Sequence, residues 1–158
     1  MLICFVDQKG IVHKEFVPPG QTVNAPFYAE VLKRLRENVR SKRPDQWRNN
    51  TWLLQHDNVP VHATLLTRRF LTANNMVVMP HPPYQHNIEP SHFFLFPKLK
   101  MKIKGRRFQT LEEIEAESQA DLNTLRENDV QECFKNWQCR WDRCQASKGD
   151  YFEGDTSY

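Results

Sequence analysis

Three groups of residues have the chemistry to act on a ligand. The first is Asp57, which lies with His56 and His62 in the run HDNVPVH. A carboxylate there can hold Mg2+ when a second acid approaches from another element, and it can equally cap the turn that follows it. His56 and His62 lack a third soft ligand at a recognised zinc spacing, so the pair does not indicate zinc. The second group is Lys98, Lys100, Lys102, Lys104, Arg106 and Arg107, six positive charges within ten residues. They suit contact with phosphates or an ordinary solvated surface. The third is Arg40, Lys42, Arg43 and Arg48 around Trp47 and Trp52, a smaller candidate contact area in which the tryptophans are more often packed than stacked on bases.

Other chemistries are not indicated. Cys133, Cys139 and Cys144 are spaced C-x5-C-x4-C and no C-x-x-C pair occurs, which argues against a zinc knuckle or a redox couple. Cys144 reads instead as core beside Trp137 and Trp141, and all four cysteines read as reduced thiols. Neither a Gly-rich phosphate loop nor a G-x-S-x-G elbow is present, so no nucleotide cofactor is expected.

The elements that must position these groups follow from turn residues and hydrophobic periodicity. Leu2 to Val6 and Ile11 to Val17 are short β-favouring runs separated by Asp7-Gln8-Lys9-Gly10, which predicts a hairpin. Asn24 is a natural cap for a helix carrying the apolar stripe Phe27, Val31, Leu35 and Val39. Residues 40–50 read as a polar linker anchored by Trp47. Thr51 to Gln55 reads as a buried strand that delivers Asp57 to its C-terminal end, where open α/β sheets place their chemistry. His62 to Leu71 suits an amphipathic helix, Met76 to Met79 a short strand, and HPPY at 81–84 a fixed exit from it. The lysine series fits either a strand with one wet basic face or the end of a helix. From Glu112 to Glu132 eight acids face only Arg126, which predicts a solvated acidic segment. Phe134, Trp137, Trp141 and Cys144 share a helical face, and the terminal YFEGDTSY reads as frayed or docked.

The arithmetic is consistent with one mixed α/β domain. The chain has 158 residues, 39% of them apolar and 26% charged, and a net charge of +3 that conceals adjacent basic and acidic segments. Ten prolines and a mean hydropathy of -0.71 leave a modest core. No apolar run nears the roughly 18 residues needed to cross a bilayer, and the opening MLICFV is too short for a signal peptide, so no membrane partner and an intracellular location are expected.

Three ordered segments carry a specific likeness: GIVHKEFVPPGQTVNAPFY at 10–28, HDNVPVH at 56–62, and VVMPHPPYQHNIEPSHFFLF at 77–96. Together with RWDRCQASKGDYFEG near the end, they make the chain resemble the catalytic domain of mariner-type transposases. The resemblance spans nearly all of residues 1–158. It implies an α/β, ribonuclease-H-like mixed sheet with flanking helices, lacking its first, central strand, with residues 108–158 as the helical C-terminal part of the same domain. It further implies an ancestral cut-and-paste DNA transposition in which three acids hold two Mg2+ or Mn2+ ions.

On that pattern Asp57 is the surviving middle acid and the only metal ligand, and a weak one. The third-acid position, 34 intervening residues later, is His92. The first acid falls upstream of the segment that Met1 begins, and Asp7 in the hairpin turn cannot replace it. Gln85 to Ile88 also depart from the family's usual Ser-Pro-Asp-Leu. The expectation is a catalytically inactive transposase relative needing no cofactor, located in the nucleus or the cytoplasm with the resemblance favouring the nucleus, and making weak nonspecific contact with double-stranded DNA through Lys98, Lys100, Lys102, Lys104, Arg106 and Arg107. Pairing with a second copy or a related transposase is a further expected partnership. Three alternatives remain open at this point: a protein-interaction module without a DNA role, an active metal-dependent nuclease, and a fossil reading frame whose product folds poorly.

Overall fold

The computed structural model describes residues 1–57, 59–80 and 88–147. The HPPY exit, positions 85–87 and the YFEGDTSY tail lie outside the described residues. The described residues divide into two compact units, the first drawn from Met1–Val6 and Ile11–Pro83, the second from Asp7–Gly10 and Tyr84–Tyr158.

The predicted hairpin is present as β1 (Leu2–Asp7) and β2 (Gly10–Phe16), paired as a two-stranded sheet. Its turn is held by the Asp7 carboxylate, which accepts from Lys9 N at 2.9 Å, and by Gly10 at φ 126°, a backbone angle that penalises a side chain. Helix α1 (Ala25–Lys42) begins at Asn24, whose side chain accepts from Phe27 N at 3.0 Å. The buried stripe of α1 is Tyr28, Val31, Leu32, Leu35 and Val39, so its leading aromatic is Tyr28, with Phe27 at the margin. This stripe packs with Val12, Leu54, Leu71 and Met76 to form the core of the first unit.

Residues 44–49 are not a linker but a short helix, α2 (Pro44–Asn49). Pro44 at its first turn presets φ, Asp45 favours the helix N-terminus, and Asn50 closes it in the left-handed conformation at φ 49°. Trp47 anchors it as expected: it stacks on Trp52 at 6.5 Å and carries the Arg36 guanidinium 5.0 Å above its ring. The two expected strands after it reduce to one parallel bridge between Leu54 and Val78. Leu54 N donates to Val77 O at 2.9 Å and Met79 N to Leu54 O at 2.8 Å. The alternation remains strand-like, with Leu54 and Met76 buried and Leu53 and Val77 exposed. After a 3-10 turn at Pro60–Ala63, α3 (Leu65–Ala73) supplies Leu71 to the core.

His13 is the one buried histidine among the described residues of this unit, and its ring is satisfied on both sides, by Glu15 at 2.6 Å and Asn38 at 2.6 Å. Glu15 in turn receives Arg34 through two bonds of 2.9 and 2.8 Å. The Arg34 hydrogen bonds hold the Glu15 carboxyl below the usual carboxylate range. A depressed carboxylate contributes stability above its unfolded pKa and loses it as pH falls through the lower folded value. Glu15→Gln should therefore cost about 1 kcal/mol at neutral pH, Arg34 being half exposed. The difference from the parent should shrink as pH falls below the ordinary Glu value of about 4.3 and vanish once pH has passed the lower folded value, as read by urea denaturation at several pH values. A pH-independent difference would show that the pair contributes packing and not charge.

In the second unit, a π-helical turn at Ser91–Leu95 runs into α4 (Phe96–Ile103), followed by α5 (Leu111–Asn123) and α6 (Glu127–Ala146). Thr110 caps α5 by accepting from Glu113 N at 3.2 Å. The buried residues Ile88, Leu95, Leu99, Leu122, Val130, Cys133 and Cys144 form its interior, and a void of only about 10 Å³ separates Leu95 and Leu99 from Leu122 and Leu125. Phe134 and Trp137 meet edge to face at 5.4 Å on the helix face predicted for them, which also buries Cys144. All four cysteines are free thiols, and burial pushes Cys4 and Cys133 up to about 12.

Candidate functional site

Asp57 lies just past the Leu54 bridge, in the first unit, and a group of aromatic rings determines its setting. Tyr28, buried on α1, shares a hydrogen bond of 3.0 Å with His56 Nδ1. His56 stacks on His62 with ring centroids 4.5 Å apart and planes within 4°, and the Tyr28 ring lies 4.4 Å from that of His62. His62 Nδ1 stands 2.9 Å from Asp57 Oδ1 and 3.1 Å from the Asp57 carbonyl, an arrangement suited to a proton on Nδ1 donating to both. The same Oδ1 accepts from Val59 N at 3.2 Å, so Asp57 does cap the turn that follows it.

The loop between these residues is pinned to α3. Thr67, wholly buried, donates through Oγ1 to Val61 O at 2.9 Å, while Thr64 caps α3 by accepting from Thr67 N at 3.2 Å. His62 thus orients Asp57, with the Tyr28 and His56 rings packed against its own, a role that the spacing of the two histidines does not disclose.

His92 lies in the second unit, within the π-helical turn, and pairs with a residue that sequence reasoning passed over. Its Nε2 is 3.3 Å from Oε2 of Glu89, one turn earlier. The Glu89 side chain is 17% exposed and that of His92 46%. The signal was available in Glu89-Pro90-Ser91-His92, the E-x-x-H spacing that puts a carboxylate and an imidazole on one face of a turn. Asking only what stands at position 92 hides it.

The six basic residues form two populations. On α4 the alternation of charge is helical: Lys98 and Lys102 pair with acids of α6 and α5, while Lys100, and Lys104 just past the helix end, have no ion pair among the described residues. Lys98 Nζ is 3.5 Å from Asp129, Lys102 Nζ 3.2 Å from Asp121, and Arg106 2.9 Å from Glu117. Arg106 draws Glu117 below the usual carboxylate range. The acidic segment is therefore partly engaged in ion pairs rather than simply solvated. Lys100, Lys104 and Arg107 are exposed and have no ion pair among the described residues. Around Trp47, Arg48 pairs with Asp45 at 2.6 Å and Lys42 donates to Val12 O at 2.9 Å, so this area offers less unpaired charge.

With this geometry in place, comparison with known proteins shows what the chain resembles. The profile described as Transposase (partial DDE domain) matches residues 1–49. The Mariner Mos1 transposase of Drosophila mauritiana is 29% identical over 154 residues, covering 97% of this chain and 45% of its own length. The crystal structure of the Mos1 catalytic domain superposes with a TM-score of 0.86 at 29% identity, covering 96% of this chain and 75% of that one. The chain is a relative of the mariner-type transposase catalytic domain. Human histone-lysine N-methyltransferase SETMAR is 24% identical over 144 residues, which is 91% of this chain and 21% of that protein. A pre-cleavage Mos1 transpososome matches with a TM-score of 0.89, covering 96% of this chain and 45% of that one.

The chain spans less than half the length of the curated relatives it matches. Its fold is ribonuclease-H-like, and of the sheet the described residues hold β1, β2 and the Leu54–Val78 bridge, in keeping with a partial sheet. No helix among the described residues is long and apolar enough to cross a membrane.

The Mos1 catalytic domain has been solved with Mg and with Mn. The donors at the two matched positions, one carboxylate and one imidazole, carry less negative charge than a pair of carboxylates. Asp57 already accepts two hydrogen bonds through Oδ1, and position 92 offers an imidazole nitrogen without negative charge.

Proposed function

We propose that this chain is a transposon-derived domain that contacts the DNA backbone without sequence preference and no longer cleaves it. The observation that carries this reading is the imidazole of His92, paired with Glu89, where the family pattern requires an acid. Asp57 is the retained middle acid, and its contacts with His62 and Val59 preserve its orientation without supplying the missing charge. Two-metal cleavage depends on negative ligands that hold both ions against the attacking and leaving oxygens, so losing one of those ligands removes Mg2+-dependent turnover. Lys100, Lys104 and Arg107 supply positive charge that internal acids do not neutralise, and a chromosomal DNA partner assigns the protein to the nucleus.

A nicking assay on supercoiled plasmid in Mg2+ or Mn2+ tests the loss of cleavage. The chain and its Asp57→Ala variant should produce equal, background amounts of open circle. Robust nicking that disappears with Asp57→Ala would overturn the inactive reading.

A further inference from the structure

We infer that the outer face of α4 is a wedge for duplex DNA, in which Met101 inserts between base steps from the minor groove while Lys100 and Lys104 hold the phosphates on either side. This rests on the DNA-binding reading above and goes beyond it, because an inserted side chain makes the protein sensitive to how easily a duplex kinks. Pro97, Lys100, Met101 and Lys104 are all exposed, and their i, i+3, i+4, i+7 spacing puts them on one side of the helix and its closing residue. The other side is engaged within the second unit: Leu99 is buried, and Lys98 and Lys102 pair with Asp129 and Asp121. Met101 is 77% exposed, the most exposed large apolar side chain among the described residues. It therefore stands in water between two cations that have no ion pair among the described residues.

The spacing suits a groove. Lys100 and Lys104 are one helical turn apart, about 6 Å along the axis, which is close to the roughly 6 Å width of the minor groove. Their ammonium groups can reach the two strands that border the groove, and Arg107, beyond the turn at Gly105, adds a third unpaired cation. Methionine is unbranched and adaptable, and it is one of the side chains that proteins insert between base steps to unstack and kink a duplex. Insertion removes apolar surface from water, which offsets part of the unstacking cost. A lipid surface would also accept cations around an apolar side chain. A single methionine on a helix of 8 residues, however, has too little apolar area to hold a membrane, whereas a wedge acts through individual side chains.

Fluorescence anisotropy of the full chain tests the wedge, with two duplexes of equal length and matched sequence, one fully paired and one carrying a central bulge of unpaired adenines. The bulge removes most of the unstacking cost, so the parent should bind that duplex about tenfold more tightly. Met101→Ala should lose this preference and bind both duplexes alike, with the salt slope retained because no charge is removed. Met101→Leu, which keeps an apolar wedge, should retain the preference, and both variants should keep the parent's urea midpoint because the side chain is exposed. Salt-dependent binding with no preference in the parent, or a preference that survives Met101→Ala, would overturn the wedge and leave the DNA-binding reading standing. Binding of phosphatidylserine vesicles that falls in Met101→Ala while both duplex affinities stay unchanged would assign the face to lipid instead. A parent that binds neither duplex would overturn the DNA-binding reading itself, and the wedge with it.

Discussion

Leu32→Ala should destabilise the first unit by about 3 kcal/mol, the largest effect expected of any single truncation in it. Leu32 is completely buried on α1, within the cluster that joins β2 through Val12, the Leu54 bridge, α3 through Leu71, and Met76. Truncation loses the transfer free energy of the buried side-chain atoms and leaves a cavity that close-packed neighbours cannot fill by collapse. A collapse is made harder because α1 is capped by Asn24 at one end and held by Lys42 at the other, through its bond to Val12 O. Equilibrium urea denaturation followed by Trp47 and Trp52 fluorescence, with Trp137 and Trp141 replaced by Phe in parent and variant alike, would report this unit. Leu53→Ala, at a residue 60% exposed, should change stability by less than about 0.5 kcal/mol and serves as control. A Leu32→Ala cost below about 1 kcal/mol would mean that this side chain does not occupy the centre of a packed core.

The same helix shows how far local chemistry carries. Its start at Asn24, its apolar stripe and the hairpin before it all follow from short-range rules, because each depends on residues within a few positions of one another. The 44–49 segment looked like a linker for a local reason too, since a six-residue polar helix has no apolar stripe to betray it. What identifies it is the Pro44 start and the packing of Trp47 on Trp52. Strand length was the less legible quantity. TWLLQ and MVVM both have β-favouring residues, yet a ladder needs partners, and the described backbone pairs them only around Leu54 and Val78.

At the candidate site, Asp57 and position 92 were legible through ordered motifs, whereas their immediate partners were not. Tyr28 reaches His56 from 28 positions away, a pairing that no local spacing encodes. Glu89 is locally encoded, three residues before His92 on the same face of the turn, but neither residue type nor charge pattern alone distinguishes it from an ordinary surface acid. The charge pattern misled in a third way. Two oppositely charged runs adjacent in sequence read as separate fields, but the turn at Lys104 and Gly105 and the helical period bring Lys98, Lys102 and Arg106 onto Asp129, Asp121 and Glu117.

That pairing determines where the largest change in DNA binding should arise. Neutralising Lys100, Lys104 and Arg107 together to glutamine should weaken binding to a duplex of arbitrary sequence by about a hundredfold near 0.1 M salt. The reason is counterion release: each phosphate neutralised contributes about 0.9 to the slope of log affinity against log salt, so removing three contacts should flatten that slope by roughly 2.7. The ion-paired residues behave differently. Lys98 with Asp129 contributes no net charge, and removing both as Lys98→Gln with Asp129→Asn preserves the overall charge while deleting one of the six residues in the basic run. That double variant should bind within about twofold of the parent with the slope retained, since a half-exposed pair contributes little to stability and nothing to the long-range field. Fluorescence anisotropy across a salt series separates the cases. Equal losses in the two variants would mean that the internal pairs open on DNA and that all six cations act together. No loss in the triple variant would remove this surface from the DNA interface and shift attention to the arginines around Trp47.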